Sequence, residues 1–299
     1  MNDRMSHWIE SMRAGEYAAA WALAERELKE RDPAQRDDPS RPYHLRWVWD
    51  GREYRNRHCL VRCYHGLGDT IQFARFLPLL RAQAASLTVE VQPRLLDLLA
   101  RSVARAGETM IRFVPFDEAR PLPPSECDLE ITELGFALRA TPGDGGMPYL
   151  TVSRGVLPRG AVGLCYGAGE WDPSRSIPPD LLAPLCGEVL CITLMPEPTN
   201  LAVLNRGGCP FDMDATAALI AATSLVITVD TMIAHLAGAM GKPVWLLLKA
   251  NPDWRWPSEG DSTPWYPSMR IYTQHEAGDW RPLLEEVRLD LAARRAKEV

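Results

Sequence analysis

Three short segments hold the residues of this 299-residue chain whose types and spacing could act on a ligand. The first is His65-Gly66-Leu67-Gly68-Asp69-Thr70-Ile71-Gln72, in which two glycines let the backbone turn and a carboxylate falls at the start of a helix. Asp69 could accept backbone N–H groups as a helix cap, and on spacing alone the cap is favoured. The pattern lacks the third glycine of a dinucleotide-binding turn. The second segment runs from Tyr166 to Pro178, with Gly167 and Gly169 behind an apolar run and Arg175 as its one cation. A guanidinium offers the fork that a phosphate needs, and pairing with Glu170 or Asp172 is the equal alternative. The third segment, Ile227 to Pro243, ends a buried run at Asp230-Thr231, which open a helix carrying His235 one turn further in. A helix start of this kind suits an anion, whereas Asp230 suits a hydroxyl, a ribose or a capping role. A single histidine on a helix is more often satisfied in the core.

Other chemistries are weaker. The Asp212-Met213-Asp214 triplet mimics a metal-binding pattern, but Asp214 is expected to cap the helix that follows, and no metal or other cofactor is expected. The seven cysteines, Cys59, Cys63, Cys127, Cys165, Cys186, Cys191 and Cys209, include no CxxC pair, and several lie in apolar runs. They read as small buried hydrophobes in a reducing compartment. A net charge of −6 gives no bulk field for nucleic acid or anionic lipid, so an anionic ligand needs a local site. The apolar runs are too short or too polar to span a bilayer, and the N-terminus lacks the apolar core of a secretory signal. A cytoplasmic location is expected, with room for peripheral membrane contact.

The elements that must position these segments follow from periodicity. Residues 6–31 carry apolar positions at helical spacing on either side of Gly15, giving two helices like a single tetratricopeptide-type unit. Such a pair cannot bury its own face and must pack on something else. Residues 32–57 form a connector with a Trp47-Val48-Trp49 anchor. Strands are expected at 58–64, 87–91, 111–114 and 127–131, with helices over 70–83 and 93–105. The Gly- and Pro-rich stretch 141–160 marks a boundary. Beyond it, strands at 161–165, 189–194, 225–229 and 244–248 alternate with helices near 181, over 214–223 and over 230–240, and a terminal helix begins near Asp279. Alternating strands and helices predict an α/β fold with parallel sheets, divided as 1–57, 58–150 and 151–299. Ligands of such sheets bind beyond the carboxyl ends of the strands, where all three segments fall.

Taken together, GLGDTIQFARFLPLL, PSRSIP and VDTMIAHLAGAMGKPVW, followed by PDWRW and PWYPSMR, resemble the heptosyltransferase-type glycosyltransferases of family 9, over roughly residues 40–285. The branch that carries tetratricopeptide helices is the most similar. The resemblance implies a GT-B fold of two facing Rossmann-like lobes, the first on the acceptor side and the second on the donor side. It implies an inverting, metal-independent transfer in which Asp69 deprotonates the acceptor hydroxyl. It also implies a nucleotide-sugar donor, ADP-heptose favoured, with Gly68, Gly167, Arg175, Asp230, Thr231, Met232 and His235 as donor-binding residues. Arg175 stands where the family usually has Lys, and Met232 where a small residue is common. The acceptor would be a glycan or a protein. The alternatives are a non-catalytic GT-B protein that keeps a nucleotide-sugar site and, with less weight, an epimerase using His65 and Glu170. The aromatic stretch Asp253 to Tyr266 would wall a site or pin a long loop onto the second lobe.

Overall fold

The computed structural model describes residues 3–32, 38, 40–41, 46, 48–105, 110–257 and 259–298. Trp47 of the expected anchor lies outside the described residues. The chain divides into two compact units, Met1–Thr151 and Val152–Val299. Among the described residues no helix is long and apolar enough to cross a membrane.

The first unit is built on four parallel strands, β1 (His58–Arg62), β2 (Ser86–Val91), β3 (Ile111–Pro115) and β4 (Cys127–Glu130), in the order β3-β2-β1-β4. The second has five parallel strands, β5 (Val162–Cys165), β6 (Cys191–Thr193), β7 (Leu225–Val229), β8 (Val244–Leu248) and β9 (Met269–Thr273), in the order β6-β5-β7-β8-β9. Every residue of β5, β7 and β8 is buried, as expected of parallel strands covered on both faces. In each sheet the chain leaves one strand, winds to one side, and returns on the other. The reversal falls between β1 and β4 in the first unit and between β5 and β7 in the second. At such a reversal the connecting loops diverge and open a crevice beyond the strand ends.

Several elements differ from expectation. The helix expected over 70–83 is a helix Leu67–Phe73, a 3-10 turn Ala74–Phe76 and a helix Leu77–Arg81. Pro78 has no N–H to continue the ladder, which breaks the run. Helix Met213–Ala222 is capped by Asp212, which accepts the Ala215 N–H at 2.8 Å, so Asp212 and not Asp214 closes its start. Helix Met232–Ala239 begins one residue beyond Thr231, leaving Asp230 outside it at the strand end. Strand β9 was not anticipated. It is short and follows the Trp- and Pro-rich stretch, and its pairing with β8 supplies the order that its sequence lacks.

The N-terminal helices, Asp3–Arg13 and Tyr17–Glu30, join at Gly15, whose φ of 74° needs a residue without Cβ. Their apolar face is covered within the first unit. Trp21 meets Phe136 at 6.1 Å and closes on Gly135, where a Cβ would lie 3.3 Å from the indole. Arg31 ties the pair to the body by donating to Glu133 at 3.1 Å and to the Trp49 carbonyl at 2.8 Å.

A buried ion cluster fixes the sheet of the first unit. Arg62 on β1 donates to Glu90 on β2 and to Asp128 on β4, each at 2.9 Å, and all three are almost wholly buried. Its remaining N–H groups reach the carbonyls of Leu122 and Pro123, while Glu90 and Asp128 accept the backbone N–H groups of Leu122 and Ser125. The charges are thus hydrogen-bonded on all sides, the condition under which a buried cluster is tolerated. The connection into β4 is pinned by the same bonds.

Candidate functional site

Within the first unit the candidate loop follows β1. Cys63, Tyr64 and His65 lead to Gly66, the N-cap of helix Leu67–Phe73, which makes Gly68 its second residue and Asp69 its third. Asp69 is therefore not the cap itself. Its Oδ2 reaches back and accepts the Gly66 N–H at 3.0 Å. Gly66 has φ −61°, which any residue adopts, so its value lies in room rather than in turning. A Cβ there would stand 3.1 Å from Asp69 Oδ2 and push on the carboxylate. Two neighbours brace the loop: Gln92, beyond β2, donates to the His65 carbonyl at 2.8 Å, and the Thr70 hydroxyl donates to Gln92 at 3.0 Å.

The end of β4, next to β1 in the sheet, adds a carboxyl that sequence inspection did not single out. Glu130 is 2 % exposed, and its Oε2 accepts both the N–H and the hydroxyl of Thr132. His65 Nε2 stands 3.8 Å from the same oxygen. Burial pushes the Glu130 carboxyl well above the usual carboxylate range; the Thr132 hydrogen bonds oppose this, and the charges of Glu133 and Asp69 add to it.

Within the second unit, the loop after β5 folds back on itself: the Ile177 N–H donates to the Tyr166 carbonyl at 2.8 Å, and Ala168 N–H donates to the Ser176 hydroxyl at 3.0 Å. Gly167 packs on Met195; a Cβ would fall 2.4 Å from the methionine Cε, the mobile end of a flexible side chain. Arg175 is 8 % exposed and donates to the Asp230 backbone carbonyl at 2.8 Å, which locks this loop to the end of β7. Its Nε lies 3.7 Å from Asp172, and its guanidinium covers the Trp171 ring at 4.1 Å. Of the two carboxylates weighed as partners for Arg175, Asp172 is the one within reach. Lys249, just beyond β8, completes the group: it donates to Asp172 at 2.7 Å. That bond, with Ser174 and the nearby cations, holds Asp172 below the usual carboxylate range. Two cations therefore converge on one loop, and one of them, Lys249, could not be seen from the loop's own sequence.

Asp230 is 8 % exposed, and burial together with the Asp253 charge raises its carboxyl, against the Trp256 N–H and the charges of Arg175 and Arg255. Thr231 caps the helix by backbone position, without a side-chain cap bond, and Met232 is its half-buried first residue. His235 is buried, bonded through Nδ1 to the Tyr266 hydroxyl at 3.0 Å and stacked on Trp256 at 5.6 Å. Tyr266 closes on Gly238, where a Cβ would meet its ring at 2.5 Å. The aromatic stretch is thus pinned onto helix Met232–Ala239 through His235. Among the described residues no three His, Cys, Asp or Glu side chains gather in a way that could hold a metal ion.

The comparisons with known proteins fall on this geometry. Residues 209–284 match the model of glycosyltransferase family 9 (heptosyltransferase). The matched segment contains β7, the Asp230-Thr231 turn, His235, Lys249 and the aromatic stretch. A curated relative, protein FlbA of Caulobacter vibrioides, is 25% identical over 284 residues, covering 80% of this chain and 47% of FlbA. The chain thus spans about half the length of that relative. Among solved structures, TibC, an iron-containing dodecameric glycosyltransferase from enterotoxigenic Escherichia coli H10407, superposes with a TM-score of 0.53 at 13% identity, over 78% of this chain and 67% of that one. The Escherichia coli heptosyltransferase WaaC, solved with ADP-2-deoxy-2-fluoro heptose, gives 0.53 at 10% identity, over 78% of this chain and 99% of that one. At these identities the two structures establish the fold alone, a GT-B-type α/β fold with two Rossmann-like parallel sheets. The match takes in the third of the segments that carried the resemblance and the two motifs that follow it; nothing in it singles out the tetratricopeptide-bearing branch.

Proposed function

We propose that the chain is an inverting glycosyltransferase that moves a sugar from a nucleotide diphosphate, ADP-heptose favoured, to the hydroxyl of a glycan or protein acceptor. The observation that carries this is the coincidence of the family 9 match with the Asp230-Thr231 strand end, where Arg175 is locked to the Asp230 carbonyl. A diphosphate leaving group gains negative charge as the anomeric C–O bond breaks. Arg175, with Lys249 beside it on Asp172 and the start of helix Met232–Ala239, offers fixed positive charge for that change without requiring a divalent ion.

In this reading the acceptor oxygen attacks the anomeric carbon as Asp69 takes its proton, and the electron pair of the broken bond leaves with the diphosphate. Asp69 is half-buried, and the Gly66 N–H that its Oδ2 accepts orients the carboxylate. Gly68 and Gly167 keep the two loops narrow beside the ligand. Thr231 and Met232 offer the first N–H groups of their helix to the donor, and the Asp230 carboxyl a hydroxyl partner. His235 serves through packing, holding Trp256 and Tyr266 behind that turn. A cytoplasmic location and peripheral membrane contact remain compatible proposals.

The test is turnover of ADP-heptose, set against UDP- and GDP-sugars, in the wild-type chain and in Asp69→Asn. The wild type should release ADP; the variant should lose about 10²–10⁴-fold in rate, as removal of a general base does, while its calorimetric affinity for ADP stays within a few-fold. Donor binding with no wild-type turnover would favour a non-catalytic nucleotide-sugar-binding protein instead.

A further inference from the structure

Trp171 has no part in the mechanism above, although it lies four residues before Arg175 in the loop beyond β5. It is 75 % exposed, and among the described residues it is the one tryptophan that is exposed rather than buried or half-buried. An indole carries a large apolar surface, which a protein covers unless a ligand is to do so. The ring is nonetheless held in place. The Asp172 N–H donates to the Gly169 carbonyl at 3.3 Å, closing a turn with Glu170 and Trp171 at its tip. Asp172 is tied in turn by Lys249 at 2.7 Å and by the Ser174 hydroxyl. The ring edge rests on Gly169, where a Cβ would stand 3.4 Å from Cδ1, and one face carries the Arg175 guanidinium at 4.1 Å. Arg175 is itself buried and bonded to the Asp230 carbonyl, so the ring is seated on the end of β7 with its other face toward solvent.

We propose that the open face of Trp171 is the platform on which the sugar of the nucleotide-sugar donor stacks, the axial C–H bonds of a pyranose ring lying against the indole. The inference rests on the glycosyl-transfer reading of the same loop. Arg175 divides its contacts between face and edge. Its face meets the indole, whereas the N–H groups that a phosphate takes up lie in the guanidinium plane. The indole can therefore stand beside the diphosphate without competing for it. An ammonium at position 175 would have no planar face to lay on the ring; the guanidinium carries the charge and seats Trp171 together. What adjoins the diphosphate then decides the ligand group. The transferred sugar is bonded directly to a phosphate oxygen, and the base stands a ribose further off. A ring in contact with the phosphate-binding cation thus reaches the sugar before it reaches the base. Stacking there favours a nucleotide sugar over its parent nucleotide, and it releases the nucleotide once the sugar has moved to the acceptor. Trp171 is then a specificity-determining residue that recognises the transferred group.

The test uses the full chain without acceptor, in calorimetry with ADP-heptose, UDP-glucose and GDP-mannose, each paired with its parent nucleoside diphosphate. For the donor that the wild type binds, Trp171→Ala should weaken the nucleotide sugar about tenfold, the loss of one apolar contact face, and leave the nucleoside diphosphate within about twofold. Trp171→Phe, which keeps a ring, should recover most of that affinity. Acrylamide quenching of fluorescence gives a second reading, because Trp171 is the exposed tryptophan. The share of quenching that Trp171→Phe removes should be suppressed by the nucleotide sugar and left nearly unchanged by the diphosphate alone. An equal loss for both ligands in Trp171→Ala, affinities unchanged for both, or equal protection by the diphosphate overturns the sugar contact and leaves the nucleotide reading standing. A wild-type chain that binds none of these ligands overturns the glycosyl-transfer reading and the sugar contact with it.

Discussion

Glu130 shows how much a single side chain can depend on its neighbours. Its carboxyl is raised in the folded chain, chiefly by burial, so the folded state binds a proton more tightly than the unfolded state does. The stability that this protonated group supports is fully present below the unfolded pKa of about 4.3 and is lost as pH rises through the raised folded value. Glu130→Gln, which cannot ionise, should therefore match the wild type in melting temperature near about pH 4 and exceed it as pH rises above that. A gap that widened instead as pH fell would mean a carboxylate stabilised in its charged form. At this scale the sequence exposed Asp69, Arg175 and Asp230, because each lies in a short segment whose pattern is local. Glu130 and Lys249 were hidden for the opposite reason. Glu130 joins His65 only because β4 lies beside β1, and Lys249 reaches Asp172 from 77 residues away.

Among the elements, the Arg62 cluster decides whether the first sheet holds the loop from Cys63 to Asp69 in place. Replacing Arg62 with Met would leave Glu90 and Asp128 buried without their cation, and breaking a buried cluster in this way costs about 3–5 kcal/mol. Urea denaturation should show that loss, and replacing all three residues with apolar side chains of similar volume should recover only part of it, because the Leu122 and Ser125 N–H groups would lose their acceptors. Elements with a repeating apolar pattern, such as β7 and β8, were legible from their runs of buried residues. The helix over 70–83 was misjudged because apolar spacing continues through Pro78 while the hydrogen-bond ladder does not. Strand β9 offers only five residues behind a stretch of Trp and Pro, and its identity as a strand is set by β8.

For the whole molecule, the division at Thr151 separates two sheets that each have their own core. The core of the second unit joins β5, β6, β7, β8 and β9 to the terminal helix Arg281–Glu298 through residues such as Leu164, Ile227, Leu247, Tyr272 and Val287. Residues 152–299 expressed alone should therefore melt cooperatively and bind ADP with an affinity within about tenfold of the full chain, since the cations proposed to meet the diphosphate all belong to this unit. Loss of ADP binding by a folded fragment would place part of the donor site in the first unit. The two-sheet plan was legible because strand and helix periods alternate along the chain and a Gly- and Pro-rich stretch separates the halves. The N-terminal helices were legible as a pair, but their docking place was not, because Gly135 and Phe136 become a platform for Trp21 only once folded.

All seven cysteines are free thiols and all are buried. Maleimide dyes should therefore find few targets on the native surface, and a cysteine introduced at an exposed position would be labelled ahead of the others. One such site in each unit, carrying a donor and an acceptor fluorophore, would turn the chain into its own ruler for following how the units respond when a nucleotide sugar is added.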